Sequence, residues 1–150
     1  MAALKEQLRS DLTAALKARD SLKASVIRMV LTAITNAEVA GKEARELSDE
    51  DVIGVLSTEA KKRKEAAEAF DAGNRPELAQ KERDEAVILA QYLPEPLSEE
   101  EISQVIADAI LQTGATDMSD MGKVMGIVTP KTKGRADGAA IAAEVRKQLG

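Results

Sequence analysis

Apolar positions recur along the chain at the three- and four-residue spacing of amphipathic helices. Leu4, Leu8, Leu12 and Leu16 mark a first helix. After the Asp20-Ser21 break, Leu22, Val26, Met29, Val30, Ala33, Ile34 and Ala37 mark a second, which Gly41 ends. Ser48, followed by acids at 49–51, supplies an N-cap and a dipole-matched first turn for a third helix through Val52, Leu56, Ala67 and Phe70. Ala72-Gly73-Asn74 stops it. Pro76 suits the first turn of a fourth, where its missing N–H costs nothing, and Leu78, Ala86, Leu89, Tyr92 and Leu93 carry that helix to a proline boundary.

Leu93-Pro94-Glu95-Pro96-Leu97 cannot continue a helix, because each proline lacks a donor and biases its predecessor to extended backbone. A boundary is therefore expected here, with an N-terminal helical domain over 1–93 and a small three-helix domain over 94–150. Tyr92, beside the prolines, is expected at the seam. Ser98-Glu99-Glu100-Glu101 forms a capping-box pattern ahead of Ile102, Val105, Ile106, Ala109 and Ile110, and Gly114 closes that helix. A short helix over 121–128, a loop over 129–138 and a last helix through Ile141, Val145 and Leu149 complete an all-α reading: about four helices, a proline-containing linker, then three.

Composition supports this. Apolar residues make up 44%, almost all aliphatic, with Phe70 and Tyr92 the only aromatics. With neither cysteine nor histidine, the chain has no disulfides, no thiolate nucleophile, no soft metal ligands and no imidazole for proton transfer. No metal, no cofactor and no self-contained catalytic residue is expected. The amphipathic N-terminus lacks an apolar core of signal-peptide length, and no stretch approaches the roughly 20 apolar residues of a membrane span. A cytoplasmic address follows by default.

The net charge of −5 is unevenly spread. From Ser119 to Gly150 six basic residues (Lys123, Lys131, Lys133, Arg135, Arg146, Lys147) face three acidic ones (Asp120, Asp137, Glu144), a net +3, so residues 1–118 carry −8. The positive end centres on Lys131-Thr132-Lys133-Gly134-Arg135-Ala136-Asp137-Gly138, a glycine-containing loop entering a helix, where backbone N–H groups and cations suit phosphate. The plainer alternative is a solvated loop with Asp137 capping the helix. Gly122-Lys123 is no phosphate loop, because Asp117 and Val124 stand where that motif needs glycine and a hydroxyl. Gly122 and Gly126, four apart, are expected to admit a packed helix, with Met118, Met121 and Met125 as an apolar stripe. The densest basic run, Lys61-Lys62-Arg63-Lys64, wraps round its helix and is expected to be a solvated, ion-paired face, with an RNA or partner contact as the sharper alternative.

An ordered set of segments resembles the GatB/YqeY family, specifically its free-standing YqeY-like members. The set is Ser25-Val26-Ile27-Arg28-Met29, Lys61 to Lys64, Tyr92-Leu93-Pro94, Leu97 to Glu101, Asp120 to Gly126 and Lys131 to Gly138. The resemblance implies a small C-terminal domain similar to the tail of the GatB subunit of the tRNA-dependent amidotransferase, a part implicated in holding tRNA. It carries over to Gly122, Lys123, Gly126, Lys131, Lys133, Gly134, Ala136 and Asp137; Arg135 falls at a variable position and enters on charge alone. It also brings a family-level association with carbon–nitrogen ligase activity using glutamine as nitrogen donor, which this chain is not expected to perform alone. The leading expectation is a tRNA- or structured-RNA-binding accessory protein with Lys123, Lys131, Lys133 and Arg135 on phosphates, and Gly134 and the helix N-terminus near Asp137 assisting as candidate RNA contacts. The alternative is a module that docks on an amidotransferase or an aminoacyl-tRNA synthetase.

Overall fold

The computed structural model describes residues 3–150; Met1 and Ala2 of the amphipathic N-terminus lie outside them. Among the described residues are seven α-helices, one 3-10 turn and no strand. The helices are α1 (Ala3–Ala18), α2 (Ser21–Val39), α3 (Asp49–Ala72), α4 (Pro76–Ala90), α5 (Glu99–Thr113), α6 (Met121–Thr132) and α7 (Gly138–Leu149), with the turn at Met118–Asp120. They fall into two compact units, one ending at Leu93 and one spanning Pro94–Gly150.

In the first unit α1 packs on α2 and α3 on α4. Leu8, Val26, Ile27, Val30, Ile34, Val52, Leu56 and Leu89 form its aliphatic core, each fully buried side chain contributing about 1.5–3 kcal/mol. The leucine stripe of α1 is only partly inside. A four-residue step turns a helix roughly 40° past a full turn, so Leu16 has rotated out, 49% exposed, and Ala15 takes the core position. Met29, also expected in the core, is 48% exposed. Ser48 and Asp51 make a reciprocal capping box at the start of α3, and Asp20 caps α2 by accepting from the Lys23 N–H at 3.1 Å.

α4 stops at Ala90, three residues before the expected end, because Pro94 pulls its predecessor out of the helical region. Tyr92 packs against the first unit's core and its hydroxyl donates to the Asp11 carboxylate at 2.5 Å, fastening the exit of α4 to α1. A half-shielded ion pair ties α1 to α2: Lys5 Nζ donates to both carboxylate oxygens of Glu38, at 2.9 and 3.0 Å, and Glu38 also accepts from the Leu47 N–H.

In the second unit Ser98 and Glu101 complete the expected capping box, and α5 ends on Gly114 with φ 69°, a left-handed position that glycine takes without strain. Ile106, Ala109, Val124, Val128, Ile141, Val145 and Leu149 form its core. α6 runs four residues beyond its expected end, with Pro130 inside it. The buried face continues through Val124, Val128 and Thr132, and the Thr132 hydroxyl donates to the Val128 carbonyl at 3.0 Å. Packing on that face and the tied last turn outweigh the lost proline donor. The expected ten-residue loop thereby shrinks to residues 133–137.

Candidate nucleic-acid interface

The solvent side of α6 carries Gly122, Lys123, Gly126, Thr129 and Pro130, with Lys133 as the C-cap residue. A side-chain carbon placed on Gly122 or Gly126 would meet nothing within 4 Å. This corrects the expectation that these glycines admit a packed helix within the fold: they face outward, because the opposite side, centred on Val124 and Val128, holds the core. Pro130 has no N–H, so the Gly126 carbonyl receives no bond from position 130, where a regular helix would supply one. The face therefore joins two lysines, a smooth backbone and a carbonyl short of its usual donor.

The four basic candidates are not equivalent. Lys123 is 72% exposed along its side chain and lies 3.8 Å from Asp120. Lys131 is exposed, but helical rotation sets it roughly 140° from Gly126 and roughly 180° from Gly122, on the far side of α6 from the glycine face. Lys133 is exposed at the helix end.

Arg135 does different work. Its Nε donates to the Glu95 carbonyl at 2.8 Å, its own carbonyl accepts from the Leu97 N–H at 2.8 Å, and its N–H donates to the Thr132 carbonyl at 2.9 Å. Arg135 thus fastens the Pro94–Leu97 stretch to the α6–α7 loop, a role its variable position in the family pattern gave no hint of.

Gly134 has φ 78°, so the glycine meets a turn requirement. Asp137 caps α7 by accepting from the Ala139 N–H at 3.1 Å. Its carboxylate already occupies the positive end of the α7 dipole, which argues against a phosphate seated there. Met121 and Met125 are half-buried against the second core, while Met118, expected in the same stripe, is 43% exposed.

The basic run on α3 is also corrected. Lys61, Lys62 and Lys64 are exposed, but Arg63 is only 4% exposed and belongs to the interior of the first unit. Its Nη1 donates to the Glu59 carboxylate at 2.7 Å, a close charge-assisted bond. Four consecutive helical residues point in four directions, so one of them had to meet the core; the run as a string of charges concealed which. A groove of about 330 Å³ opens nearby between α2 and α3, floored by Ala33, Ala37, Gly54 and Val55, with Arg45 and Asp51 at its rim. Small residues on facing helix positions were the sequence signal for it. Among the described residues no helix is long and apolar enough to cross a membrane.

Comparison with known proteins adds a family. The family described as Yqey-like protein matches residues 5–149. A Saccharomyces cerevisiae protein named altered inheritance of mitochondria protein 41, mitochondrial, is 32% identical over 152 residues, covering 95% of this chain and 80% of its own. Its namesake in Lachancea thermotolerans is 28% identical over 150 residues, covering 95% and 79%. An uncharacterised protein of Schizosaccharomyces pombe is 36% identical over 95 residues, covering 63% and 76%. The mitochondrial names of the Saccharomyces and Lachancea relatives overturn the cytoplasmic address expected from the sequence. That expectation rested on the lack of an apolar secretory segment, whereas mitochondrial leaders are amphipathic, so the lack does not separate the two compartments. Matched along almost its whole length, the chain belongs to the YqeY-like family.

Proposed function

We propose that the second unit binds structured RNA on the solvent face of α6, with tRNA the class that the resemblance to the amidotransferase tail implies. The observation that carries this reading is the open Gly122–Gly126 surface with Lys123 beside it and Lys133 at the C-terminal end of α6. A glycine inside a helix costs about 0.5–1 kcal/mol relative to alanine, and nothing within the unit packs on these two. A smooth helix flanked by cations lets a sugar–phosphate backbone approach closely. Phe70 and Tyr92 both belong to the first unit, so recognition on α6 proceeds through shape, phosphate and 2′-hydroxyl contacts rather than base stacking. The chain acts here as a holder of RNA, and any carbon–nitrogen ligase chemistry associated with the family belongs to other subunits.

The test is binding of total tRNA to the purified full chain across a salt series. Replacing Lys123 and Lys133 together by alanine is expected to flatten the log–log salt slope by about 1.4–1.8, at about 0.7–0.9 per phosphate contact. Lys131→Ala should have the smaller effect. Absence of wild-type binding at low salt would sink the RNA reading. A second reading, docking on an amidotransferase or synthetase, is favoured by Leu111, 82% exposed on the same unit; a partner that copurifies through nuclease and high salt would support it.

A further inference from the structure

The guanidinium of Arg63 is filled on one edge and open on the other. Nη1 is used twice, on the Glu59 carboxylate at 2.7 Å and the Glu59 carbonyl at 3.1 Å. Nε and Nη2 form the other edge, a pair of parallel donors shaped for a single oxygen or a carboxylate. There Nε is buried with no hydrogen-bond partner, and Nη2 reaches only the thioether sulfur of Met29 at 3.5 Å. Thioether sulfur is a weak acceptor, so of the two buried donors on this edge one meets only a poor partner and the other none. Met29 itself is 48% exposed on α2, so part of its side chain is open to a small solute.

We infer that Met29 is a reversible oxidation site whose sulfoxide oxygen is captured by the Nε–Nη2 edge of Arg63. The oxidant is a hydroperoxide. A sulfur lone pair attacks the distal peroxide oxygen, the S–O bond forms as the O–O bond breaks, and the sulfur gives up two electrons. The proton on the transferred oxygen ends on the departing oxygen, which leaves as water from hydrogen peroxide or as an alcohol from an alkyl peroxide. The new oxygen is a strong acceptor lying where Arg63 presents an unused donor. The same donors, already in place beside the sulfur, stabilise the charge that builds on the peroxide during transfer. Most methionine sulfoxides loosen the packing around them; this one completes a hydrogen-bond set between α2 and α3, and a methionine sulfoxide reductase restores the thioether.

The experiment treats the folded full chain with graded hydrogen peroxide and reads each methionine by peptide mass spectrometry, with Met118, of similar exposure, as internal comparison. Met29 is expected to oxidise about fivefold faster than Met118, corresponding to about 1 kcal/mol of transition-state stabilisation at tenfold per 1.36 kcal/mol. The midpoint of thermal unfolding is expected to hold or rise once Met29 is converted. Equal or slower oxidation of Met29, or a lowered midpoint, overturns the inference. Because Arg63 variants risk unfolding, the capture step is tested on the methionine instead: Met29→Gln, whose side-chain carbonyl imitates the sulfoxide oxygen, is expected to be at least as stable as Met29→Leu. A glutamine variant less stable than the leucine variant would refute capture by Arg63.

Discussion

Replacing Gly122 and Gly126 by alanine tests the α6 face in two opposed ways. Both positions are helical, and an added methyl would meet no atom within 4 Å. Alanine should therefore gain its helix propensity without steric cost, about 1 kcal/mol at Gly126 in the helix interior and about half that at Gly122 in the first turn. For a domain of about 60–100 residues each kcal/mol raises the unfolding midpoint by about 4–8 °C, so the double variant should shift the second unit's transition measurably upward. Urea unfolding followed by far-ultraviolet circular dichroism would give the gain with an unchanged m-value. The same two methyls stand where an RNA backbone would approach, so tRNA affinity should fall while the lysine-dependent salt slope persists. A loss of stability would refute the geometry outright. Stability gained with tRNA affinity intact would refute the use of the glycine face while leaving the lysines in place.

Arg135→Ala should destabilise the second unit by about 0.5–1.5 kcal/mol through loss of the Glu95 bond, and Arg135→Lys should not restore it; chemical denaturation of both variants checks this. Tyr92→Phe leaves Asp11 Oδ2 without its donor, while Oδ1 keeps the Gln7 amide, and should cost about 1.5–3 kcal/mol, read by the same assay. Burial, then the bond to Asp11, raises the Tyr92 hydroxyl above its ordinary value. Its stabilisation is thus whole below the unfolded pKa of about 10 and drains away above it, so the wild type should lose its advantage over Tyr92→Phe in alkaline unfolding curves. Glu38 is held below the ordinary carboxylate value, chiefly by the Lys5 hydrogen bond and then by the Leu47 N–H. Its contribution is present above the unfolded pKa and lost as pH falls through the folded one, so the stability gap between wild type and Glu38→Gln should be open at neutral pH and close in acid.

Features written in local chemistry were legible in the sequence. Ser48 with Asp51 and Ser98 with Glu101 carry their capping geometry in residue type and spacing, and Gly114 announced a left-handed exit. What failed was the assignment of faces. Pro130 reads as a stop only when the core side, through Val124, Val128 and Thr132, is not weighed against it. Two glycines four apart name a side of a helix without saying whether that side looks inward, and Arg63 turns inward from a run whose other members face water. The basic loop was visible as composition, but its division of labour was not. Arg135 is consumed by a bond to residue 95, forty positions away, and no local pattern encodes that pairing.

Pro130 gives α6 one further property. Where its N–H is missing, the Gly126 carbonyl gets no bond from position 130, and if water serves it in the free protein, a ligand that covers it must either displace that water or keep it as a bridge. Lysine contacts fade with added salt as counterions reclaim them, whereas this exchange does not involve ions. Binding extrapolated to about 1 M salt, where counterion release contributes little, would then isolate the backbone's own share. A helix interrupted by an imino acid would be recognising its ligand partly through the solvent it holds.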